Sequence, residues 1–294
     1  MRLLRTLSAS VNIALWSFAQ LNQTMQIISK AQDLPPTELA FVPTMGALHA
    51  GHLHLIATAR KHCPTVLVSI FVNPKQFAAG EDFASYPRPR DDDLHLLRQQ
   101  RVDYVYLPQA LDLFPTDFQT YVHNRAGSEM LCGLQRPNHF QGVLTVVLKL
   151  LLTVRPQLLV LGKKDYQQLV LIKRMLRDFS LPIAVIAATT QRYEDGLAYS
   201  SRNTYLTPAQ RSQAPLLYQA LRAAEKLFQQ GERNSEQIIA AARNIIASSG
   251  FSTDYLEIRT QADLAPLASI TAPSVLLVAA RLGDTRLLDN IELG

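Results

Sequence analysis

Pro43-Thr44-Met45-Gly46-Ala47-Leu48-His49-Ala50-Gly51-His52 joins a mostly apolar run at 38–42, which reads as a buried strand, to a helical pattern over 51–62. The segment therefore reads as a strand, a Gly-containing turn and the start of a helix. Two imidazoles set three residues apart at a helix N-terminus, beside its free backbone N–H groups, form a cationic cradle for a phosphate chain. Gly51 lets such a ligand approach the backbone. A plain helix cap built from a histidine pair is the alternative reading. His54 is taken as a bystander.

Outward from this junction the same rhythm repeats. A second apolar run at 66–72 ends at Asn73-Pro74, a helix is expected near 91–100 and a strand near 102–107. Helix follows at 142–154, strand at 157–161, helix at 165–178 and strand at 183–188. Strands alternating with helices of this length predict a Rossmann-like α/β fold: a doubly wound parallel sheet with helices on both faces. Ligands of such sheets sit at the carboxyl ends of the strands, so the turns at 43–52, 72–77 and 162–168 should converge on one cleft.

Past residue 190 the rhythm changes to helices near 208–230 and 234–249 and strand-like runs at 254–259 and 274–280. The expected division is a first domain over 1–189 and a smaller α+β lid domain over 190–294. At the N-terminus, Leu4, Leu7, Val11, Ala14, Phe18, Leu21, Met25 and Ile28 recur at helical spacing. They suggest an amphipathic helix after a short strand near 2–6, with Ser8 or Ser10 as its cap, in preference to a targeting segment.

The 294 residues are 48% apolar and 18% charged, and no tract is dominated by Pro, Gly and Ser, so the chain should fold throughout. Its net charge of +5 suits anionic substrates without selecting one. Cys63 and Cys132 lack metal-ligand spacing and form no disulfide framework, which points to reduced thiols and a cytoplasmic setting. No run reaches the length of a membrane-spanning helix. The absence of GxGxxG and of GxxxxGK[ST] removes dinucleotide-dependent dehydrogenases and phosphate-loop kinases. An RNA-binding module would need interleaved aromatics or a Lys/Arg stripe, and neither is present, so no nucleic-acid partner is expected.

Three further groups bear on chemistry. Gly162-Lys163-Lys164-Asp165 closes a strand with two cations and an acid placed to reach a ribose hydroxyl; a solvated lysine pair looks the same. Tyr199-Ser200-Ser201-Arg202-Asn203 offers hydroxyls and a guanidinium suited to a triphosphate, and also resembles a cap cluster. Asp91-Asp92-Asp93 can bind magnesium or start a helix favourably.

In order along the chain, these groups are joined by Ser69-Ile70-Phe71-Val72-Asn73-Pro74-Lys75-Gln76-Phe77, Tyr86-Pro87-Arg88, Arg136-Pro137-Asn138-His139-Phe140-Gln141-Gly142-Val143, Lys164-Asp165-Tyr166-Gln167-Gln168 and the run 195–203. Together the motifs resemble the pantothenate synthetase family, pantoate-beta-alanine ligases of the HxGH nucleotidylyltransferase superfamily. The likeness extends from about residue 3 to Leu288-Asp289-Asn290.

That resemblance implies ATP as a substrate, magnesium and a homodimer, with pantoate and beta-alanine as the other substrates. It implies that Met45, Gly46, Ala47, Leu48, His49, Ala50, Gly51 and His52 line the ATP site, together with Gly162, Lys163, Lys164, Asp165, Gln191, Tyr199, Ser200, Ser201 and Arg202. Gln76 and Gln168 would hold pantoate, Asn73 and His139 would belong to the pocket wall, and Asp92 and Asp93 would be the magnesium-side acids. His52, His49, Lys164 and Arg202 would stabilise charge as a pantoate carboxylate displaces pyrophosphate. Lys75, Lys163 and Pro89 depart from the family's usual residues. Some members are fused to a downstream cytidylate kinase. Another HxGH nucleotidylyltransferase is the nearest rival; it would keep the histidine cradle and need no glutamine pair.

Overall fold

The computed structural model describes residues 24–294. Six parallel strands form the larger sheet: β1 (Gln26–Ile28), β2 (Ala40–Thr44), β3 (Val66–Ile70), β4 (Tyr104–Tyr106), β5 (Leu158–Gly162) and β6 (Ala184–Ala188), in the order β1-β4-β3-β2-β5-β6. Four long helices cross between them: α1 (Ala50–His62), α2 (Arg90–Gln99), α3 (His139–Val154) and α4 (Tyr166–Asp178).

Period-two alternation sends successive side chains of β2 to opposite faces. Phe41 joins Leu67, Leu144, Leu151 and Ile172 beneath α3 and α4. Ala40 and Val42 join Ile56, Ala59, Leu94 and Leu97 beneath α1 and α2. With both faces covered, the central strands read as continuous apolar runs, which is what made them legible. Strand order reverses between β2, which pairs β3 on one side, and β5 on the other. The turns leaving these two strands cannot both fold over the same neighbour, and a crevice opens at their carboxyl ends.

A separate antiparallel sheet, β7 (Ser252–Thr260), β8 (Ser274–Leu282) and β9 (Thr285–Leu293), packs against α5 (Leu216–Gln229) and α6 (Ser235–Ala247). Leu282 pairs with Thr285, so Gly283-Asp284 is a two-residue hairpin loop, and Gly283 takes the positive φ of 60° such a turn requires. Leu131, Tyr166 and Val170 pack with Leu264, Val275 and Leu277, seating the small sheet against α4.

Three expectations change. The helical spacing carried through Met25 and Ile28 fails at its end, because Gln26–Ile28 is an edge strand paired with Tyr104–Tyr106; the expected elements before it lie outside the described residues. The helix expected over 208–230 breaks at Pro215 into Pro208–Gln213 and α5, since proline lacks the N–H that would continue the first piece. Strand β9 was missed because Asp289 and Asn290 carry poor strand propensity; tertiary partners described below consume their polar groups.

Candidate active site

The crevice is a cavity of about 780 Å³ whose walls come from the turns after β2, β3 and β5 and from residues beyond 188. The turn after β2 is built from the backbone outward. Gly46, at φ 80°, leaves room where a Cβ would stand 2.8 Å from an Asp93 carboxylate oxygen. Through that space Asp93 accepts the N–H groups of Ala47 at 2.9 Å and Leu48 at 2.7 Å. His49 then caps α1: its Nδ1 accepts from Gly51 N–H at 3.2 Å, while its own N–H donates to His52 Nδ1 at 3.3 Å. A Cβ on Gly51 would lie 2.9 Å from the His49 ring, so glycine is what permits this reciprocal cap.

The cap fixes tautomers. Each Nδ1 is an acceptor, so each neutral ring carries its proton on Nε2, free to donate. Burial first, and then the Lys164 charge, lower His49 from 6.5 to about 4. Burial, then His49 and Lys164, hold His52 well below its ordinary value. The cationic cradle expected from sequence is thus, at neutral pH and without a ligand, a pair of neutral N–H donors with Lys164 supplying the charge.

Across the cavity floor, Asn73 Nδ2 donates to Gln76 Oε1 at 3.0 Å and to Gly142 O at 3.1 Å, while its Oδ1 accepts Lys75 N–H. Gly142 lets α3 press on this turn, for a Cβ there would come within 2.1 Å of Lys75 O. Gln76 Nε2 reaches Met45 Sδ at 3.1 Å. His139 donates from Nδ1 to Gln76 O at 2.9 Å and accepts an Arg136 N–H at Nε2, 3.1 Å away. Burial and then Arg136 lower His139 to about 4, consistent with that neutral tautomer. Arg136 is itself held by both oxygens of Glu81 at 2.6 Å. Gln168, in the first turn of α4, also lines the cavity.

The opposite wall carries Lys164, Asp165, Gln191, Tyr199, Ser200, Ser201 and Arg202. Ser201 Oγ donates to Ala47 O at 3.2 Å, tying the Ser-Ser-Arg loop to the turn after β2. Asn290 Nδ2 donates to Lys163 O at 2.9 Å and Lys164 O at 2.8 Å, and Asp289 pairs with Arg192 at 2.5 Å. The Leu-Asp-Asn close of the sequence therefore fastens the lysine turn.

Of the residues expected here, Met45, Gly162 and the groups just described line the cavity; Gly46, Ala47, Leu48 and Ala50 support it from behind. Two of the expected groups stand off the cavity lining. Lys163 turns away to an ion pair with Glu292 at 2.6 Å. Asp92 is exposed outside the cavity on α2, and Asp93 is buried with each carboxylate oxygen accepting one backbone N–H. No group of three His, Cys, Asp or Glu side chains suited to a metal occurs among the described residues. Sequence reasoning missed Glu81, Asp82 and Arg136 as parts of the site; the adjacent Glu81-Asp82 acids between two motifs were the available signal.

A parallel sheet with a capped HxGH turn at its switch point is the arrangement expected of an α/β protein of the nucleotidylyltransferase type. A family model described as Pantoate-beta-alanine ligase matches residues 17–292, and the chain belongs to that family. It is 48% identical over 255 residues to the pantothenate synthetase of Methylococcus capsulatus, covering 86% of this chain and 89% of that one. It is 49% identical to the bifunctional pantoate ligase/cytidylate kinase of Synechococcus elongatus, where 87% of this chain spans 49% of the relative. The pantothenate synthetase structure from Thermus thermophilus superposes with a TM-score of 0.88 at 41% identity, covering 92% of this chain and 99% of the other. The pantoate-beta-alanine ligase from Francisella tularensis, complexed with beta-gamma ATP and beta-alanine, gives a TM-score of 0.77 at 34% identity over 91% and 97%. The chain is thus an enzyme, a ligase of pantoate and beta-alanine.

Proposed function

We propose that the ligation runs through a pantoyl-adenylate. ATP lies along the α1 N-terminus with its phosphates among His49, His52, Lys164 and Arg202, and pantoate lies between Gln76 and Gln168. A pantoate carboxylate oxygen attacks the α-phosphorus, the bond to the bridging oxygen breaks, and pyrophosphate leaves. The beta-alanine amine, having lost a proton, then attacks the acyl carbon, and AMP departs. The observation that carries this reading is the shared cavity: two neutral Nε2–H donors, a lysine and two glutamine amides line the same space. Donors placed in advance stabilise charge that grows on the phosphate without reorganising. Amides read the hydroxyls of a hydroxy-acid without adding a competing charge. No covalent nucleophile is needed, only positioning and exclusion of water from the anhydride.

Magnesium is assigned to the ATP phosphates as part of the substrate, since Asp92 lies outside the cavity lining and Asp93 already anchors the turn after β2. The two sheets, each with its own apolar cluster, support domains over 1–189 and 190–294, the second acting as a lid. A cytoplasmic homodimer is the accompanying reading, supported by the family and by two free cysteines. No described helix is long and apolar enough to cross a membrane.

Isotope exchange tests the mechanism. With pantoate, MgATP and labelled pyrophosphate but no beta-alanine, label should enter ATP, and Gln168→Ala should remove most of that exchange. Exchange that requires beta-alanine overturns the adenylate-first order. Exchange that proceeds equally without pantoate overturns the substrate assignment and favours another nucleotidyl transfer.

A further inference from the structure

Arg202 is not waiting with an open guanidinium. Its Nε and Nη2 donate to the two carboxylate oxygens of Asp82 at 2.8 and 2.9 Å, the forked pairing by which arginine also grips phosphate. Asp82 lies in the segment 78–89 between the Gln76 turn and α2, and it lines the same cavity. The Tyr205 hydroxyl donates to the same carboxylate at 3.4 Å, and the guanidinium sits 5.7 Å from the Tyr86 ring. Burial pushes the Asp82 carboxyl up, but the Arg202 hydrogen bond and charge outweigh it and hold the carboxyl below its ordinary value. The neighbouring Glu81 is engaged separately, on Arg136.

We propose that Asp82 is an internal counter-anion that occupies Arg202 in the nucleotide-free enzyme and yields it to the triphosphate, so that this one carboxylate sets the affinity for ATP. The inference rests on Arg202 being a phosphate contact, as read above. An incoming triphosphate gains Arg202 only by replacing a bond of the same geometry, and the displaced carboxylate then remains beside the phosphates as a like charge. Both effects weaken ATP binding, and both vanish when Asp82 is made neutral. Glu81 serves as the internal control, being one residue away with the same charge on a different arginine.

The test is calorimetric titration with magnesium and the non-hydrolysable β,γ-methylene analogue of ATP. It compares wild type, Asp82→Asn, Asp82→Ser, Glu81→Gln, Arg202→Ala and the Asp82→Asn/Arg202→Ala double variant. Both Asp82 variants should lower Kd by about three- to tenfold, the range expected for a partly buried pair, while Glu81→Gln should not tighten binding, since it frees no Arg202. In the Arg202→Ala background, Asp82→Asn should tighten binding clearly less, since only the like-charge effect remains there. An unchanged or higher Kd for the Asp82 variants overturns the proposal, as does equal tightening in Glu81→Gln or in the Arg202→Ala background, which would mean bulk charge. Wild-type affinity in Arg202→Ala would instead refute the phosphate contact itself.

Discussion

The two walls of the cavity are held by different forces. On the side of the parallel sheet the fastenings are mostly to backbone: Asp93 on Ala47 and Leu48, the His49–His52 cap on the start of α1, and His139 on Gln76 O, with the Arg136–Glu81 pair beside it. On the other side the fastenings are mostly ion pairs, Arg192–Asp289, Arg202–Asp82 and Lys163–Glu292. Hydrogen bonds from backbone to the Asp93 carboxylate contribute roughly 1.5–3 kcal/mol and those of the neutral imidazoles about 0.5–1.5 kcal/mol, whereas half-open pairs such as Arg202–Asp82 and Lys163–Glu292 contribute about 0–1 kcal/mol. The first wall is preorganised and the second exchangeable. An enzyme that must admit a large anion and then hold it still needs one of each.

The sharpest way to break this comparison is to remove a donor from each wall. His52→Ala should slow pyrophosphate exchange by about 10²- to 10³-fold, the loss typical of one preorganised donor. Arg202→Ala should cost about tenfold, mainly through a higher KM for ATP. Equal losses in kcat from the two variants would show both walls equally rigid.

Acid separates the walls next. His49 and His139 sit at about 4 in the folded protein against 6.5 when unfolded. Between those values the unfolded chain binds more protons, so stability is full above about pH 6.5 and falls as pH drops towards 4. The loss is on the order of 3 kcal/mol for each histidine. The carboxyls of Glu81 and Asp82 lie below their ordinary values, so their share is full above those ordinary values and is lost as pH falls through them towards the lower folded ones. Denaturant midpoints measured between pH 7 and 4.5 should therefore decline steadily, and His139→Gln should flatten the curve. A flat wild-type profile would mean these imidazoles are not held neutral.

A smaller effect is expected from Asp93→Asn. The amide keeps one acceptor and turns an N–H₂ group towards a backbone N–H, at a cost of about 1–3 kcal/mol. Thermal unfolding should drop and the KM for ATP rise, because the turn after β2 loses its anchor. Excess magnesium should not restore activity. Rescue by magnesium would reinstate Asp93 as a metal-side acid.

How much was legible follows the same division. The strands and the HxGH turn showed in sequence because burial on both faces leaves unbroken apolar runs and because glycine and histidine at fixed spacing mark local backbone geometry. Asn73, Gln76 and Gln168 were found only through the family's motifs, since an amide in a loop carries no periodic signal. Glu81, Asp82 and Arg136 were not singled out as site residues at all: a surface acid and one that holds an arginine 120 residues away look alike in one dimension. Strand β9 was hidden for a related reason, as Asp289 and Asn290 make sense in a strand only once Arg192 and the Lys163 and Lys164 carbonyls are beside them.

The smallest predicted effect concerns Lys163, which the motif pattern placed among the ATP contacts. Its ammonium lies 2.6 Å from Glu292, with side-chain exposures of 29% and 32% for the pair. Water screens a pair this open, so Lys163→Ala should cost no more than about 1 kcal/mol in stability. Its carbonyl, by contrast, is held with that of Lys164 by the Asn290 amide, and truncating the side chain leaves both bonds in place. The KM for ATP in Lys163→Ala should accordingly stay within about threefold of wild type, while Asn290→Ala should raise it more, because two carbonyls lose one donor group and the lysine turn loosens. A tenfold rise in KM for Lys163→Ala, with Asn290→Ala unaffected, would mean that the ammonium leaves Glu292 to reach the phosphates, and that this corner of the exchangeable wall rearranges when ATP binds.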